Sequence, residues 1–294
     1  MNMTEEQIAQ WAKPPSETED QKCLNAIQQA TDAVRASFGN SVTIVRQGSH
    51  RNRTNIRVDS DVDIAVVHNG YYFPDISGLS QADKDRYHAN SSSTDYTFAQ
   101  FKNEVEQALR GAFGQASVAR KNKCIRVAGN TNRVSADVVP AFEHRRFSSY
   151  GVIAAEGIEF IADDSARIVS FPDQHYANGV KKNTDTKQGY KSMVRILKRT
   201  RAHLIDTGKL AKDAISSHFI ECLVWNVPSD YFAKNSWRSV ADFVTSKIWN
   251  DMRDAALAND YAEVSDLHWL FRGGKRTPKQ AEDFMLLAWT HLTR

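Results

Sequence analysis

The chain has 294 residues, of which 41% are hydrophobic and 10% aromatic, and its formal net charge is +3 at pH 7. This composition supports one large or two modest folded domains and excludes an intrinsically disordered chain, while the small net charge gives no reason to expect a nucleic-acid coat protein. Three widely spaced cysteines without a C-x-x-C pair argue against a disulfide framework or a zinc site. We find no signal-peptide core and no apolar stretch of membrane-spanning length, so we expect a cytoplasmic protein without a membrane partner.

The first half of the sequence predicts a mixed α/β domain. Apolar residues at helical spacing predict helices over 17–38 and 98–113, each followed by a glycine. The polar segment 68–95 predicts a mobile loop. Strand-like apolar runs occur at 42–45, 61–67, 117–119, 124–127 and 133–139, and a further strand pair is expected near 142–147 and 157–161.

The second half of the sequence predicts helices only. They are expected at 190–205, 216–225 and 240–257, and a last one opens at Thr277 with a capping box and a proline in its first turn. We therefore place a mixed α/β domain over residues 1–171 and a helical domain over 172–294. A cleft between two such domains is the natural place for a ligand.

Asp61 and Asp63 are the most informative residues of the chain. They begin the apolar run DVDIAVV, and residues two apart on a strand project to the same face. Paired carboxylates repel unless positive charge lies between them, and hard oxygen ligands suit Mg²⁺ that is completed by substrate phosphates. Gly48 and Ser49, separated from Asp61 by a gap of eleven residues, offer backbone N–H groups and a hydroxyl for phosphate oxygens. The pattern favours phosphoryl chemistry on a nucleotide; the alternative is a pair of solvent-facing acids.

Asp137 is the candidate third acid. It lies in the run SADVVP, where an unpaired carboxylate among valines and alanines would be costly. Three acids on adjacent strands could hold two Mg²⁺ ions, with Mn²⁺ as an alternative metal, for an in-line displacement at the α-phosphorus of a nucleoside triphosphate. The alternative for Asp137 is a salt bridge with Arg133 or Arg126.

Positive charge is concentrated between residues 181 and 201, where eight basic residues accompany one acid. Lys191, Arg195 and Lys198 share one face of the predicted helix, which favours a phosphate clamp with Lys191 in the first turn. Ser217, near the start of the next helix, could add a hydroxyl to the same phosphates. The alternative is a solvated helix face.

Four segments resemble a known family. GSHRNRTNIRVDSDVDIAVV, SADVVPAF, FPDQHYANGVKKNTDTKQGYKSMVRILKRTR and SSHFIECLVWNVP are similar to the bacterial cGAS/DncV-like nucleotidyltransferases of the polymerase-beta superfamily, and within them to clade E, the CdnE enzymes. The resemblance implies an α+β fold: a polymerase-beta-like core of mixed sheet and helices with an N-terminal brace helix, joined to a helical domain in a bilobed molecule. It also implies Mg²⁺-dependent synthesis of cyclic di- or trinucleotides in CBASS anti-phage defence, where the product activates an effector.

The same resemblance assigns roles to individual residues. Ser49, Asp61, Asp63 and Asp137 would be catalytic, and Lys191 and Ser217 would contact the triphosphate. The residue before the aromatic-Pro pair is associated with base choice in clade E, and here it is Ser170, which implies the purine nucleotides ATP and GTP; the alternative is a turn residue.

We expect a monomer that does not require nucleic acid. The alternatives to a cyclic dinucleotide synthase are an enzyme that adds a nucleotide to RNA, a small molecule or a protein, and a binding module without catalysis.

Overall fold

A computed structural model describes residues 3–56, 61–92, 94–274 and 276–294. The described chain forms two compact units. The sheet unit contains residues 17–50 and 61–172, and the helical unit contains residues 3–16, 51–56 and 173–294. The change of unit after Pro172 lies next to the boundary predicted from the sequence, whereas residues 3–16 and 51–56 group with the helices and not with the sheet.

The sheet unit is built on one seven-stranded mixed sheet. Its strands are β1 (Val42–Gln47), β2 (Val62–Asp75), β3 (Val118–Arg120), β4 (Ile125–Val127), β5 (Ala136–Ser149), β6 (Val152–Ile161) and β7 (Arg167–Ser170). The order is β1-β2-β5-β4-β3, and β6 pairs with the second half of β5 and with β7. Among the strand pairs of the described residues, β2 and β5 run parallel and the others run antiparallel. Both strands carry long apolar stretches because the centre of the sheet is buried.

Helices pack on this sheet. They are α2 (Glu17–Phe38), the short α3 (Gly48–Arg51) directly after β1, α4 (Gln81–Asn90) and α5 (Phe98–Phe113). The Thr97 side chain accepts a hydrogen bond from the Gln100 backbone N–H, and the Gln100 side chain accepts one from the Thr97 backbone N–H. This capping box begins α5. The buried faces of α2 and α5 join the strand interiors in one apolar core, in which Phe101 and Ile64 are fully buried.

Two predictions for the sheet unit are wrong. The segment 68–95 is not a loop: β2 continues to Asp75, where residues 72–75 pair with residues 143–146 of β5 after a register shift, and α4 follows. Residues 136–149 form one strand and not two, since Pro140 lies inside β5. In both places the sequence is polar or contains a proline and does not predict a strand, but pairing with neighbouring strands stabilises one there.

The helical unit contains the remaining helices. They are α1 (Glu5–Ala12), α6 (Pro172–Asp185), α7 (Gly189–Asp206), α8 (Ser217–Trp225), α9 (Trp237–Met252), α10 (Ala255–Asn259) and α11 (Pro278–Thr293). The helix predicted over 240–257 is two helices, because Asp254 caps a new helix through the N–H groups of Ala256 and Leu257. The capping box predicted at Thr277 is confirmed, with Gln280 as its partner. The largely buried α7 lies at the centre of this core.

The fold class is α+β, as predicted. Among the described residues, no helix is both long enough and apolar enough to cross a membrane.

Candidate active site

The parallel pair of central strands brings two aspartates side by side. Asp63 on β2 is the register partner of Asp137 on β5, so both side chains project from the same face. Register partners extend this pair into a row across four strands, which we call the acid row: Gln47 of β1 pairs with Asp63, and Arg126 of β4 pairs with Asp137. Asp61 lies two residues before Asp63, and its backbone joins the same end of β2. The three acids predicted from the sequence are therefore brought together by the sheet.

Arg126 connects two of these acids. Its Nη2 donates to Oδ2 of Asp61 over 2.7 Å, and its Nη1 donates to Oδ1 of Asp137 over 3.3 Å. The hydrogen bond with Asp61 raises the pKa of Arg126 above its ordinary value, and the charges of both acids act in the same direction. The salt-bridge alternative for Asp137 is thus realised through Arg126. The other proposed partner, Arg133, instead donates to Gln29 and to the carbonyl of Ala128.

Cys124 lies two residues before Arg126, and its thiol is hydrogen-bonded to Asp137. Burial raises the pKa of the Cys124 thiol to about 12, and the nearby charge of Asp137 and a hydrogen bond to it act in the same direction. The thiol is therefore protonated at neutral pH. Cys124 was missed as a site residue, and Arg126 was named only as an alternative salt-bridge partner of Asp137. The alternation C-I-R-V was the available signal that both share one strand face.

Gly48 approaches Asp63 so closely that only glycine fits. Its φ is +69°, in the left-handed region, and an added Cβ would lie 2.0 Å from Oδ2 of Asp63. The reason is local: β1 ends at Gln47, the register partner of Asp63, and the chain turns at once into α3. Ser49 follows Gly48 in α3 and is half-buried. The two residues predicted to bind phosphate therefore lie beside the acid row, within the same unit.

In the helical unit, Lys191 is the third residue of α7 and is mostly buried. Burial lowers the pKa of Lys191, partly offset by the negative charge of Glu221. Its Nζ lies 5.8 Å from the ring centroid of Tyr176 on α6, and Arg51 lies 5.1 Å from the same ring. Its backbone N–H is held by Oδ1 of Asn183.

The predicted phosphate clamp does not include Arg195 and Lys198. The guanidinium of Arg195 donates to the carbonyls of Ala12 and Arg53, and Lys198 donates to Thr54. Both side chains are buried. These cations stabilise neighbouring backbone segments of the helical unit, so their positive charge is already satisfied. The prediction for these two residues is wrong because helix α7 is central to its core and not a surface helix.

Glu221 is the buried partner of this cationic helix, and sequence reasoning missed it. Its Oε2 accepts from Thr54 over 2.8 Å and lies 3.5 Å from Nζ of Lys198, while its Oε1 lies 2.9 Å from Nε2 of His175. Burial raises the pKa of Glu221, but Lys198, His175 and Thr54 lower it by more, so the carboxylate stays charged. A single acid within the apolar run HFIECLVW was the available signal.

The last two predicted residues occupy different elements. Ser217 is the first residue of α8, directly after Ser216, whose side chain caps the helix through the Phe219 N–H. Ser170 is the last residue of β7 and pairs with Ile158 of β6. It is a strand residue and not the turn residue that the alternative required.

The donor set fits a hard divalent cation better than a soft one, since it consists of aspartate oxygens around a single arginine. Over residues 3–56, 61–92, 94–274 and 276–294, however, no three acidic, histidine or cysteine side chains are arranged to hold a metal ion. A bridging guanidinium lies between two of the acids. Because each of its terminal nitrogens binds one carboxylate, a positive group already lies against both Asp61 and Asp137.

The sheet unit is an open mixed sheet that gathers three aspartates at one end of its parallel strands, and a helical unit accompanies it. The profile of the cGAS/DncV-like nucleotidyltransferase C-terminal helical domain matches residues 177–293. A cyclic dipurine nucleotide synthase of Elizabethkingia meningoseptica is 48% identical over 99% of both chains. The cyclic dipyrimidine nucleotide synthase CdnE of Cecembia lonarensis is 37% identical over 98% of both chains.

Solved structures agree with these relatives. The structure of Elizabethkingia meningoseptica CdnE cyclic dinucleotide synthase with GTP and Apcpp has a TM-score of 0.83 at 45% identity and covers 98% of both chains. The Rhodothermus marinus CdnE c-UMP-AMP synthase with Apcpp and Upnpp has the same TM-score of 0.83 at 27% identity, over 98% of this chain and 97% of that one. The chain belongs to the cGAS/DncV-like nucleotidyltransferases and, within them, to clade E, the CdnE enzymes. The family and the enzyme class predicted from the sequence are confirmed.

Proposed function

We propose that this enzyme joins two purine ribonucleoside triphosphates into a cyclic dinucleotide, with release of pyrophosphate. The proposal is supported by 48% identity over the whole chain to a cyclic dipurine nucleotide synthase, against 37% to a cyclic dipyrimidine synthase. ATP and GTP are the proposed substrates. We further propose that the product is a second messenger of anti-phage defence that activates an effector.

The observation that carries the proposal is the register of Asp63 with Asp137 and the shared contact of Asp61 and Asp137 with Arg126. Asp61, Asp63 and Asp137 would hold divalent metal, proposed as two Mg²⁺ ions. Bound metal would lower the pKa of the attacking hydroxyl and neutralise the charge of the leaving pyrophosphate.

We propose phosphate-binding residues in the sheet unit and, separately, in the helical unit. In the sheet unit, Gly48 brings its backbone close to Asp63, and the neighbouring Ser49 offers a hydroxyl and a backbone N–H. In the helical unit, Lys191 offers a partly desolvated ammonium, and Ser217 begins α8. A desolvated cation binds a phosphate more strongly than a hydrated one because less water must be removed.

Ser170 is the proposed reader of the base. Its backbone is tightly positioned, because a Cβ on Gly157 would lie 2.5 Å from the Ser170 carbonyl oxygen and 2.7 Å from the Phe171 ring. A serine leaves more room for a purine than the longer asparagine, whose carboxamide pairs with uracil. We therefore expect Ser170→Asn to shift incorporation toward pyrimidine nucleotides. An unchanged nucleotide preference in competition assays with all four triphosphates would exclude Ser170 as the base reader.

The product assay tests the main proposal. The protein is incubated with ATP, GTP, CTP and UTP, singly and in pairs, with Mg²⁺ and separately with Mn²⁺; the products are treated with phosphatase and identified by mass spectrometry. A phosphatase-resistant cyclic dipurine is the expected result. Linear products, or labelled RNA or protein, would instead indicate transfer to another acceptor, and binding of triphosphate without pyrophosphate release would indicate a module without catalysis.

A further inference from the structure

Arg126 contacts the acids through the same carboxylate groups that are proposed to hold metal. We propose that Arg126 is a displaceable counter-ion: it neutralises Asp61 and Asp137 in the metal-free enzyme and must release both carboxylates when divalent metal binds. This inference rests on the proposed metal role of the three aspartates. It assigns to Arg126 control over the metal affinity of the free enzyme.

The geometry supports a shared counter-ion and not a simple ion pair. The two terminal nitrogens of one guanidinium reach two different carboxylates, over 2.7 Å to Asp61 and 3.3 Å to Asp137. Without this positive group, the acids would repel one another at the end of the parallel strands. The planar guanidinium suits this task because its donors point in fixed directions.

The contact is also exchangeable. The side chains of Arg126, Asp61 and Asp137 are 36%, 42% and 27% exposed, so water and ions reach them. The buried pair of Lys198 and Glu221 in the helical unit differs, with side chains only 1% and 5% exposed. A partly exposed pair is held weakly enough for a divalent cation to compete with it.

Displacement requires no change in the backbone. Arg126 is the middle residue of β4, which is paired with β3 on one side and β5 on the other. The strand therefore holds the Cα in place while the long side chain can adopt another rotamer. A guanidinium left beside a divalent cation would be repelled by it, so the two positive groups compete for the acids.

Mn²⁺ binding, measured by electron paramagnetic resonance without nucleotide, tests the proposal. Arg126→Gln should bind Mn²⁺ more tightly than the parent by about tenfold, because one positive charge has been removed within a few ångströms of the metal. Arg126→Lys keeps the charge but lacks the planar fork of donors that reaches both carboxylates, so its Mn²⁺ affinity should lie between those of the parent and of Arg126→Gln. Arg133→Gln is the matched control and should bind like the parent, since Arg133 contacts Gln29 and Ala128 and not the acids.

Thermal denaturation checks the fold and provides a second readout. Arg126→Gln should melt below the parent without metal, where the acids repel one another, and should gain more stability from added Mn²⁺, because tighter binding to the folded state stabilises it more. If Arg126→Gln fails to fold, the same two measurements are made on Arg126→Lys and compared with the parent.

Asp63→Asn separates the two proposals. Suppose that the parent binds Mn²⁺, that Asp63→Asn does not, and that Arg126→Gln binds Mn²⁺ no more tightly than the parent. The counter-ion proposal is then wrong, and the metal role of the aspartates stands. If neither the parent nor Arg126→Gln binds Mn²⁺, both proposals are overturned. Tighter binding by Arg126→Gln that is abolished by a further Asp63→Asn substitution supports both.

Discussion

Two clusters of charged side chains, one in each unit of this enzyme, differ in burial and in pairing. In the sheet unit, Asp61 and Asp137 stay partly exposed and share one arginine at the end of the parallel strands. In the helical unit, Arg195 and Lys198 of α7 are buried; Arg195 donates to backbone carbonyls, and Lys198 lies beside the buried carboxylate of Glu221. Exposed and incompletely paired charge can be used by a ligand, whereas buried and fully paired charge stabilises the fold.

The difference teaches which sequence signals identify a site. A cluster of basic residues in a helix does not reveal how many are available, since burial depends on what packs around the helix. Two acids at strand spacing are more informative, because strand geometry alone places them on one face. We therefore test whether the acids beside Arg126 serve chemistry and whether the buried pair of Lys198 and Glu221 serves stability.

Asp63→Asn should have the largest effect, on activity and not on stability. We expect cyclic dinucleotide formation to fall about a thousandfold, as is typical when a key electrostatic group is removed from an active site, with a melting temperature close to that of the parent. The measurement is pyrophosphate release beside thermal denaturation. Asp75→Asn is the matched control on the same strand: Asp75 pairs with Arg146 at the far end of β2, and activity should survive. Full activity in Asp63→Asn would remove Asp63 from the chemistry.

Glu221→Gln should show the reverse pattern. The glutamine can still contact Thr54 and His175 but leaves the buried ammonium of Lys198 without a counter-charge, which should cost about 3 kcal/mol of unfolding free energy. Urea denaturation measures this loss. Adding Lys198→Met to the same protein should recover part of the stability, because the unpaired buried charge is then removed. If Glu221→Gln alone were as stable as the parent, Glu221 would not be the counter-charge that stabilises Lys198 in the fold.

Gly48→Ala tests how closely the phosphate-binding turn is coupled to Asp63. The new Cβ would lie 2.0 Å from Oδ2 of Asp63, so the turn or the acid must move. We expect activity to fall about a hundredfold, since displacing a reacting group by about 1 Å has effects of this size. Gly39→Ala is the control, because Gly39 also has a positive φ of +54° but no neighbouring atom within 4 Å of an added Cβ. Equal losses in both variants would attribute the effect to backbone strain alone.

Lys191→Met should have the smallest effect. Burial lowers the pKa of Lys191 in the fold, so removing its charge should change the stability by no more than about 1 kcal/mol at neutral pH. Triphosphate binding should weaken about tenfold through the loss of one charged hydrogen bond. Isothermal titration with a non-hydrolysable triphosphate checks this. Lys182→Met is the control, since burial lowers the pKa of Lys182 to about 8 while its Nζ donates to the carbonyl of Val227; it should bind triphosphate like the parent.

The pH dependence of stability provides a further check on Lys191. The folded chain holds the proton of Lys191 less tightly than the unfolded chain, whose lysine has its ordinary pKa of 10.5. The unfolded state therefore binds more protons, and this residue makes stability rise with pH as 10.5 is approached. The rise should be smaller in Lys191→Met. An identical pH profile in both proteins would show that Lys191 is not desolvated in the fold.

Much of the architecture could be predicted because it depends on local patterns. The helices α2, α5, α7 and α8, the capping box at Thr277 and the positions of most strands along the chain follow from apolar spacing and capping residues. The segment 68–95 could not be predicted, since its strand and helix are polar and depend on pairing with β5 and on local capping. The break between α9 and α10 depends on one capping aspartate within a continuous apolar pattern.

For the site, the sequence by itself determined the three acids, because residues two apart on a strand share a face and because acids within apolar strands need a positive partner. Only the tertiary structure decided which cation serves as that partner. Arg126 meets Asp61 and Asp137 because β4 pairs with β5, and Lys198 is removed from the candidate site because Glu221 and Thr54 surround it. Sequence spacing specifies direction along one element, whereas the pairing of charges depends on contacts between elements far apart in the chain.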